Sequence, residues 1–152
     1  EYNYKSRVNS GFFLSTKLLR HSSSNYLMAN LFMTIAGING LLVVSIGAFG
    51  AHALKSTVTS ESFATFQTGV LYHMVHTLAL LCLSILITKF KDISILNASG
   101  WFFTIGIVFF SGSLYLLGIS GIKTLGAVAP IGGVSFLCGW ACLIRFSIKA
   151  RI

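Results

Sequence analysis

Two histidines, His73 and His76, are the residues of this chain whose type and spacing could do chemistry. Residues at positions i and i+3 share one face of a helix, so both imidazoles could reach one metal ion or the edge of a haem. The same residues could instead form hydrogen bonds between membrane helices, which contribute about 0.6 kcal/mol each on average. Because a lone His-x-x-His pair is weak evidence for a metal, we favour the structural interpretation.

Other catalytic or metal-binding patterns are missing from the sequence. No nucleophile, base and acid can be grouped, and neither a glycine-rich phosphate loop nor a His-Glu-x-x-His pattern occurs. The cysteines contain no Cys-x-x-Cys pair and are interpreted as small apolar packing residues (Cys82, Cys138 and Cys142). The sequence therefore predicts a protein without enzymatic activity and without a metal site, and it identifies no cofactor.

Most of the chain consists of four stretches without Lys, Arg, Asp or Glu, and both histidines lie within them. They run over residues 21–54, 62–88, 93–122 and 124–144. Each reaches the roughly 20 residues that a helix needs to cross a bilayer core of about 30 Å. The spacers between them are short, so helices that follow one another must be antiparallel neighbours.

Composition supports a membrane fold. Charged residues make up 9% of the chain, whereas a soluble domain has about 25%. The mean hydropathy is +0.83. The predicted fold class is therefore all-α, an integral membrane bundle of four transmembrane helices with short loops. We expect the helices at about 30–54, 64–88, 98–119 and 125–147.

The first 27 residues differ from the rest of the chain. They are basic and rich in serine, and their single acid is Glu1. That composition is typical of an organelle transit peptide, although an amphipathic arm on the membrane surface or non-native upstream sequence would look the same. The predicted domains are this leader or arm, 1–27, and a four-helix transmembrane domain, 28–152.

The net charge of +8 is better explained by the topology of a membrane protein than by binding to nucleic acid. We therefore exclude nucleic acid as a partner. The basic residues lie at helix ends, not on one amphipathic face. The side that holds both termini and the middle spacer carries Lys17, Arg20, Lys89, Lys91, Arg145, Lys149 and Arg151, and the other carries Lys55 and Lys123. The positive-inside rule predicts both termini in the cytoplasm or the mitochondrial matrix.

Small residues recur along one stripe of the first helix, at Ala36, Gly40, Gly47 and Ala51. Small side chains let helix backbones approach closely in lipid. The stripe therefore predicts tight packing of this helix against a neighbour.

Depth in the membrane predicts which polar side chains meet. At about 1.5 Å of rise per residue, Asn39 lies near mid-membrane with His76 opposite it, and His52 lies near the outer interface at the level of Gln67. His73 falls between these two levels. The predicted intramembrane cluster, either a ligand site or a set of contacts that fixes helix register, consists of Asn39, His52, Gln67, His73, His76, Ser111 and Tyr115.

Several short motifs, in order, resemble a known family. They are Gly47-Ala-Phe-Gly-Ala-His-Ala-Leu-Lys55, Phe66-Gln-Thr-Gly-Val70 with Tyr72-His73, Phe110-Ser-Gly-Ser-Leu-Tyr115, Pro130-Ile-Gly-Gly133 and Gly139-Trp140. From Met28 to about Phe146 the chain resembles the transmembrane-protein-256-like family, also catalogued as domain of unknown function 423. The resemblance implies a small multi-helix protein of bacterial inner membranes or, in eukaryotes, of mitochondria. It implies no established activity.

The function expected from the sequence is that of a small integral membrane protein without catalytic activity. We expect it to be a structural or accessory subunit of a membrane complex, with the lipid bilayer and other membrane subunits or copies of itself as partners. An oligomeric conduit for small molecules or ions is the first alternative. A redox subunit that binds haem or quinone through His73 and His76 is the second.

Overall fold

The computed structural model describes residues 2–90 and 93–150, with side chains from residue 23 onward. These residues form helices and turns and contain no strand. Within residues 2–90 and 93–150, four helical segments are long and apolar enough to cross a membrane, and we name them spans 1 to 4: Ser23–Leu54, Ser60–Ile87, Ser94–Ser120 and Lys123–Ala150. The predicted all-α bundle of four spanning helices is therefore confirmed.

Each span is built from one or two regular pieces. Span 1 is the end of α1 (Tyr2–Phe49) followed by a π-helical turn, Gly50–Leu54. Span 2 is α2 alone (Ser60–Ile87). Span 3 consists of α3 (Ser94–Gly106), a second π-helical turn (Ile107–Ser111) and α4 (Gly112–Ser120). Span 4 is a 3₁₀ turn (Lys123–Ala127) followed by α5 (Ala129–Ala150).

The first helix starts much earlier than position 30, where the sequence predicts it to begin. Helix α1 is continuous from Tyr2 to Phe49. No proline lies in this range to stop a helix, and serine and asparagine lower helix propensity only modestly. The basic side chains on which the leader interpretation depends lie before residue 23, outside the described side chains.

The turns between spans are defined by local chemistry. The side-chain oxygen of Thr59 accepts a hydrogen bond from the backbone N–H of Ser62 at 3.2 Å, which caps the start of α2. At the end of α4, Gly121 takes a φ of 69°. That left-handed conformation closes the helix, and glycine adopts it without the steric cost that a Cβ would bring.

Packing in the bundle is pairwise. Span 1 packs mainly against span 2, α3 packs mainly against α5, and α4 packs mainly against α2. Three phenylalanine rings lie in the interior of the bundle and are essentially inaccessible: Phe32, Phe66 and Phe103. Span 3 therefore has span 4 as its chief neighbour before the π turn and span 2 after it.

Glycines allow the closest approach between helices. A Cβ on Gly132 of α5 would collide with the backbone nitrogen and Cα of Phe110. A Cβ on Gly139 would lie 2.5 Å from the Phe103 ring. These glycines let spans 3 and 4 touch with backbone against backbone and ring, which is how association is achieved in lipid.

The small-residue stripe of span 1 faces span 2 only in part. Ala36 is buried, and a Cβ on Gly47 would stand 3.7 Å from Val70 of α2. Ala51 is exposed, although the stripe predicts that it packs against a neighbouring helix. Gly50 is buried against Phe66 instead. The reason is that the helix widens to a π turn at Gly50, so regular helical spacing no longer applies there.

Candidate functional site

A chain of hydrogen bonds joins spans 1, 2 and 3 through His73. The imidazole Nε2 of His73 lies 2.9 Å from Oδ1 of Asn39, and its Nδ1 lies 3.0 Å from the hydroxyl of Tyr115. His73 itself is buried. We call these residues, Asn39, His73 and Tyr115, the three-span relay.

The protonation of the relay follows from its partners. The amide nitrogen of Asn39 donates to the Ile35 carbonyl at 2.8 Å, which leaves the Asn39 side-chain oxygen as an acceptor facing His73. His73 must therefore donate from Nε2. A neutral imidazole then accepts at Nδ1, and the Tyr115 hydroxyl donates to it. Both ring nitrogens of a neutral histidine are satisfied in this arrangement.

Local packing positions the Tyr115 ring of the three-span relay. Gly69 lies one turn before His73 on α2, and a Cβ there would stand 3.0 Å from the Tyr115 ring. The missing side chain gives the ring of Tyr115 room against α2, within reach of His73. The same ring lies 5.1 Å, centroid to centroid, from the ring of Phe66. Tyr115 thus packs against both a glycine and an aromatic ring of α2.

A second polar centre surrounds His76 and joins span 2 to span 4. Its Nδ1 lies 2.8 Å from the carbonyl oxygen of Tyr72 and must donate to it. The indole N–H of Trp140 donates to Nε2 at 3.2 Å. The imidazole also stacks on Phe136, with ring centroids 3.5 Å apart and planes 9° from parallel. We call His76 and Trp140, with the Tyr72 carbonyl, the two-span clasp.

The imidazoles of His73 and His76 therefore point toward different partners. Residues i and i+3 are separated by about 60° around a helix axis. Here that angle directs His73 toward Asn39 and Tyr115, and His76 toward Trp140. The sequence places His76 at the level of Asn39, whereas the structure joins Asn39 to His73. A depth estimate does not determine contact, because contact also requires that two side chains face each other.

The remaining candidates lie outside both centres. Ser111 is fully buried at the end of the π turn, and its hydroxyl has no hydrogen-bond partner within the described residues. His52 and Gln67 are exposed, and in the part of the chain described here neither is hydrogen bonded to another predicted cluster member. Gln67 instead lines an apolar groove between spans 1 and 2, with Gly47 and Met74.

Trp140 is the residue that reasoning from the sequence missed. The sequence places it only within the Gly139-Trp140 motif. A signal was available, because an indole N–H inside a membrane span needs an acceptor, and a histidine ring nitrogen can supply one. Two serines contribute similar bonds that were also unforeseen: Ser99 donates to the Gly139 carbonyl at 2.9 Å, and Ser135 to the Phe102 carbonyl at 2.7 Å.

Chemically, both centres are suited to holding helices together. All four ring nitrogens of His73 and His76 are engaged by groups of the chain itself. To ligate a metal or haem iron, either histidine would have to give up one of these bonds. Among the described residues, no group of three His, Cys, Asp or Glu side chains is placed to hold a metal ion.

Replacing Trp140 by phenylalanine tests the two-span clasp. The W140F variant keeps an aromatic ring near Phe103 but removes the donor to His76 Nε2. We expect a loss of about 0.5–1.5 kcal/mol in the free energy of unfolding, the usual range for one hydrogen bond inside a membrane bundle. Unfolding in a denaturing detergent, followed by circular dichroism, measures it. A matched W101F variant changes an indole of similar exposure, 45% against 42%, that donates to no other described residue, and it is expected to shift the midpoint much less.

Comparison with known proteins gives a family but no activity. A family described as "Protein of unknown function (DUF423)" matches residues 46–133. The UPF0382 membrane protein YwdK of Bacillus subtilis is 41% identical over 118 residues, which cover 78% of this chain and 96% of the relative. The UPF0382 inner membrane protein YgdD of Escherichia coli K12 is 42% identical over 126 residues, covering 82% and 95%. No solved structure matches the chain significantly.

Proposed function

From its membership of the DUF423 family, and from its four membrane spans, we propose that this chain is a non-catalytic accessory or structural subunit of a membrane complex. We place it in the inner membrane of a bacterium or a mitochondrion, since its relative from Escherichia coli is named an inner membrane protein.

The observation that carries the proposal is the complete engagement of the two buried histidines. In lipid, an ionisable side chain is expensive and by default indicates a functional role. Here that role is to hold helices together. Here the three-span relay and the two-span clasp satisfy every ring nitrogen of His73 and His76. The polar interior is thereby used to fix the helices relative to one another, which is what a scaffold for neighbouring subunits needs.

Span 1 offers the surface on which such a neighbour would pack. In its most apolar window 17% of the residues are buried, against 44% in span 3. Large apolar side chains stand out from it, with Leu41 69% and Val44 72% exposed. An apolar helix of another membrane subunit fits this face, and lipid tails would cover it when that subunit is absent.

The two alternatives have less support. A redox subunit would need a free imidazole nitrogen for haem or quinone, and neither buried histidine offers one without breaking a bond. A conduit would need an internal path, but the interior is filled by Phe32, Phe66 and Phe103. An oligomeric conduit would then have to run between copies, along the exposed faces.

Photo-crosslinking in native membranes tests the proposal with a matched pair of positions. A photoreactive amino acid is placed at Leu41 of span 1 or at Leu137 of span 4, which are 69% and 70% exposed. We expect position 41 to give an adduct with one other polypeptide, and position 137 to give mainly lipid adducts. Mass spectrometry identifies the polypeptide, which must also co-purify with the unmodified chain in a fixed ratio. Adducts only between copies of this chain, or only with lipid, would contradict an accessory role.

A further inference from the structure

The last two turns of span 4 carry a groove that combines apolar and basic side chains. It has a volume of about 440 Å³ and is lined by Ala141, Ile144, Arg145, Ile148 and Lys149. Positions 141, 145 and 149 follow at intervals of four, so they form one row along α5, and the two isoleucines form the adjacent row. Ala141 is the small residue of its row and lies at the end nearest the middle of the membrane, so the groove stays open there.

The two ends of the groove lie in different surroundings. Helix α5 ends at Ala150, so Arg145 and Lys149 lie at the edge of the membrane, where charged heads reach water. Ile144 and Ile148 are 63% and 76% exposed and face lipid tails. Any molecule that fills this groove must therefore be anionic at one end and apolar at the other.

Positive charge concentrates at this end of the bundle. The ring of Phe90, next to Lys89 at the end of span 2, packs on Phe146 with centroids 4.8 Å apart. That contact brings a third basic residue to the same end as Arg145.

We propose that this groove binds an anionic phospholipid, with the phosphate between Arg145 and Lys149 and an acyl chain along Ile144, Ile148 and Ala141. A guanidinium and an ammonium one turn apart are suited to a phosphate group, and basic sites at helix ends recognise anionic lipids in this way. A free phosphate would leave the isoleucine row uncovered. The bilayer also supplies such lipids at the depth of the groove.

Lipid binding is measured on the full-length protein in mild detergent, by native mass spectrometry with an equimolar mixture of phosphatidylglycerol and phosphatidylcholine. We expect the unmodified chain to retain phosphatidylglycerol preferentially. The R145Q/K149Q variant is expected to lose this retention by about tenfold or more, because each basic residue near an anionic surface contributes roughly fivefold.

The chain offers a control with the same loss of charge. Lys55 directly follows span 1 and Lys123 begins span 4, so both lie at the end of the bundle away from the groove. The K55Q/K123Q variant also removes two positive charges. We expect its phosphatidylglycerol retention to stay within twofold of the unmodified chain. Equal losses in the two double variants would overturn the proposal, since binding would then follow net charge.

A neutral variant tests the groove itself. The A141F variant places a phenylalanine ring in the end of the groove nearest the middle of the membrane. Position 141 is exposed on α5, and the change alters no charge. We expect it to reduce phosphatidylglycerol retention at least threefold while the helical content and the melting temperature stay unchanged. Unaltered retention in A141F would also overturn the site, because the acyl chain would then have no defined place.

Discussion

The G132A variant is expected to lose about 3 kcal/mol or more of unfolding free energy. Overpacking a well-filled interface costs about 1–3 kcal/mol and sometimes more. Here the added methyl would meet the backbone nitrogen and Cα of Phe110, which cannot move aside as the end of a side chain can. Spans 3 and 4 must therefore separate locally, and the hydrogen bonds from Ser99 and Ser135 that join them will lengthen.

The neighbouring glycine supplies a matched control. A Cβ on Gly133 would stand 3.8 Å from the Phe110 ring, which is ordinary van der Waals contact. Because alanine is the better helix former, we expect G133A to be neutral or slightly stabilising, within about 1 kcal/mol. Both variants are compared by unfolding in a denaturing detergent. Similar stabilities for G132A and G133A would show that spans 3 and 4 are not held backbone against backbone.

Removing the imidazole of His73 is the second change with a large expected effect. H73A leaves the Asn39 side-chain oxygen and the Tyr115 hydroxyl without their shared partner and opens a cavity among three spans. An unsatisfied buried polar group costs about 1–3 kcal/mol. We expect H73A to lower the free energy of unfolding by about 2–3 kcal/mol. The exposed H52A variant is the control and should change it by less than about 0.5 kcal/mol.

A double-mutant cycle separates the relay from simple loss of volume. Y115F removes only the hydroxyl, and we expect it to cost about 1 kcal/mol in the unmodified chain. Once His73 is alanine, the hydroxyl has no imidazole to donate to, so the same change should cost much less. The expected coupling energy between the two positions is about 0.5–1.5 kcal/mol. Strictly additive effects would mean that the bond between His73 and Tyr115 contributes nothing to stability.

The membrane topology could be predicted because it depends on a coarse property of the chain. A helix can cross the bilayer wherever some twenty residues avoid charge, and the described charges that separate such stretches here lie in turns or in the first turn of a helix. Among the described residues the structure accordingly has four spans, each overlapping one uncharged stretch. The start of α1 could not be predicted in the same way, since a helix can continue well outside the apolar part if no proline or cap stops it.

The polar contacts were harder to predict because they depend on direction as well as depth. The sequence identified Asn39, His73 and Tyr115 as candidates, and the structure brings these three together. It also grouped His52 and Gln67 with them, yet both are exposed. A depth estimate carries no information about which way a side chain points, and the missed contact of His76 with Trp140 has the same origin.

The π turn at Ile107–Ser111 marks the point at which span 3 changes its main neighbour. Phe103 and Gly106 before the turn contact span 4, whereas Leu114 and Gly118 after it contact span 2. Such a turn holds one residue more than the α-helical turn that it replaces, so every residue beyond it lies about 100° behind the position that regular winding would give it. Regular winding of the same residues would therefore rotate Tyr115 away from His73. The extra residue thus sets the rotational register of the second half of span 3.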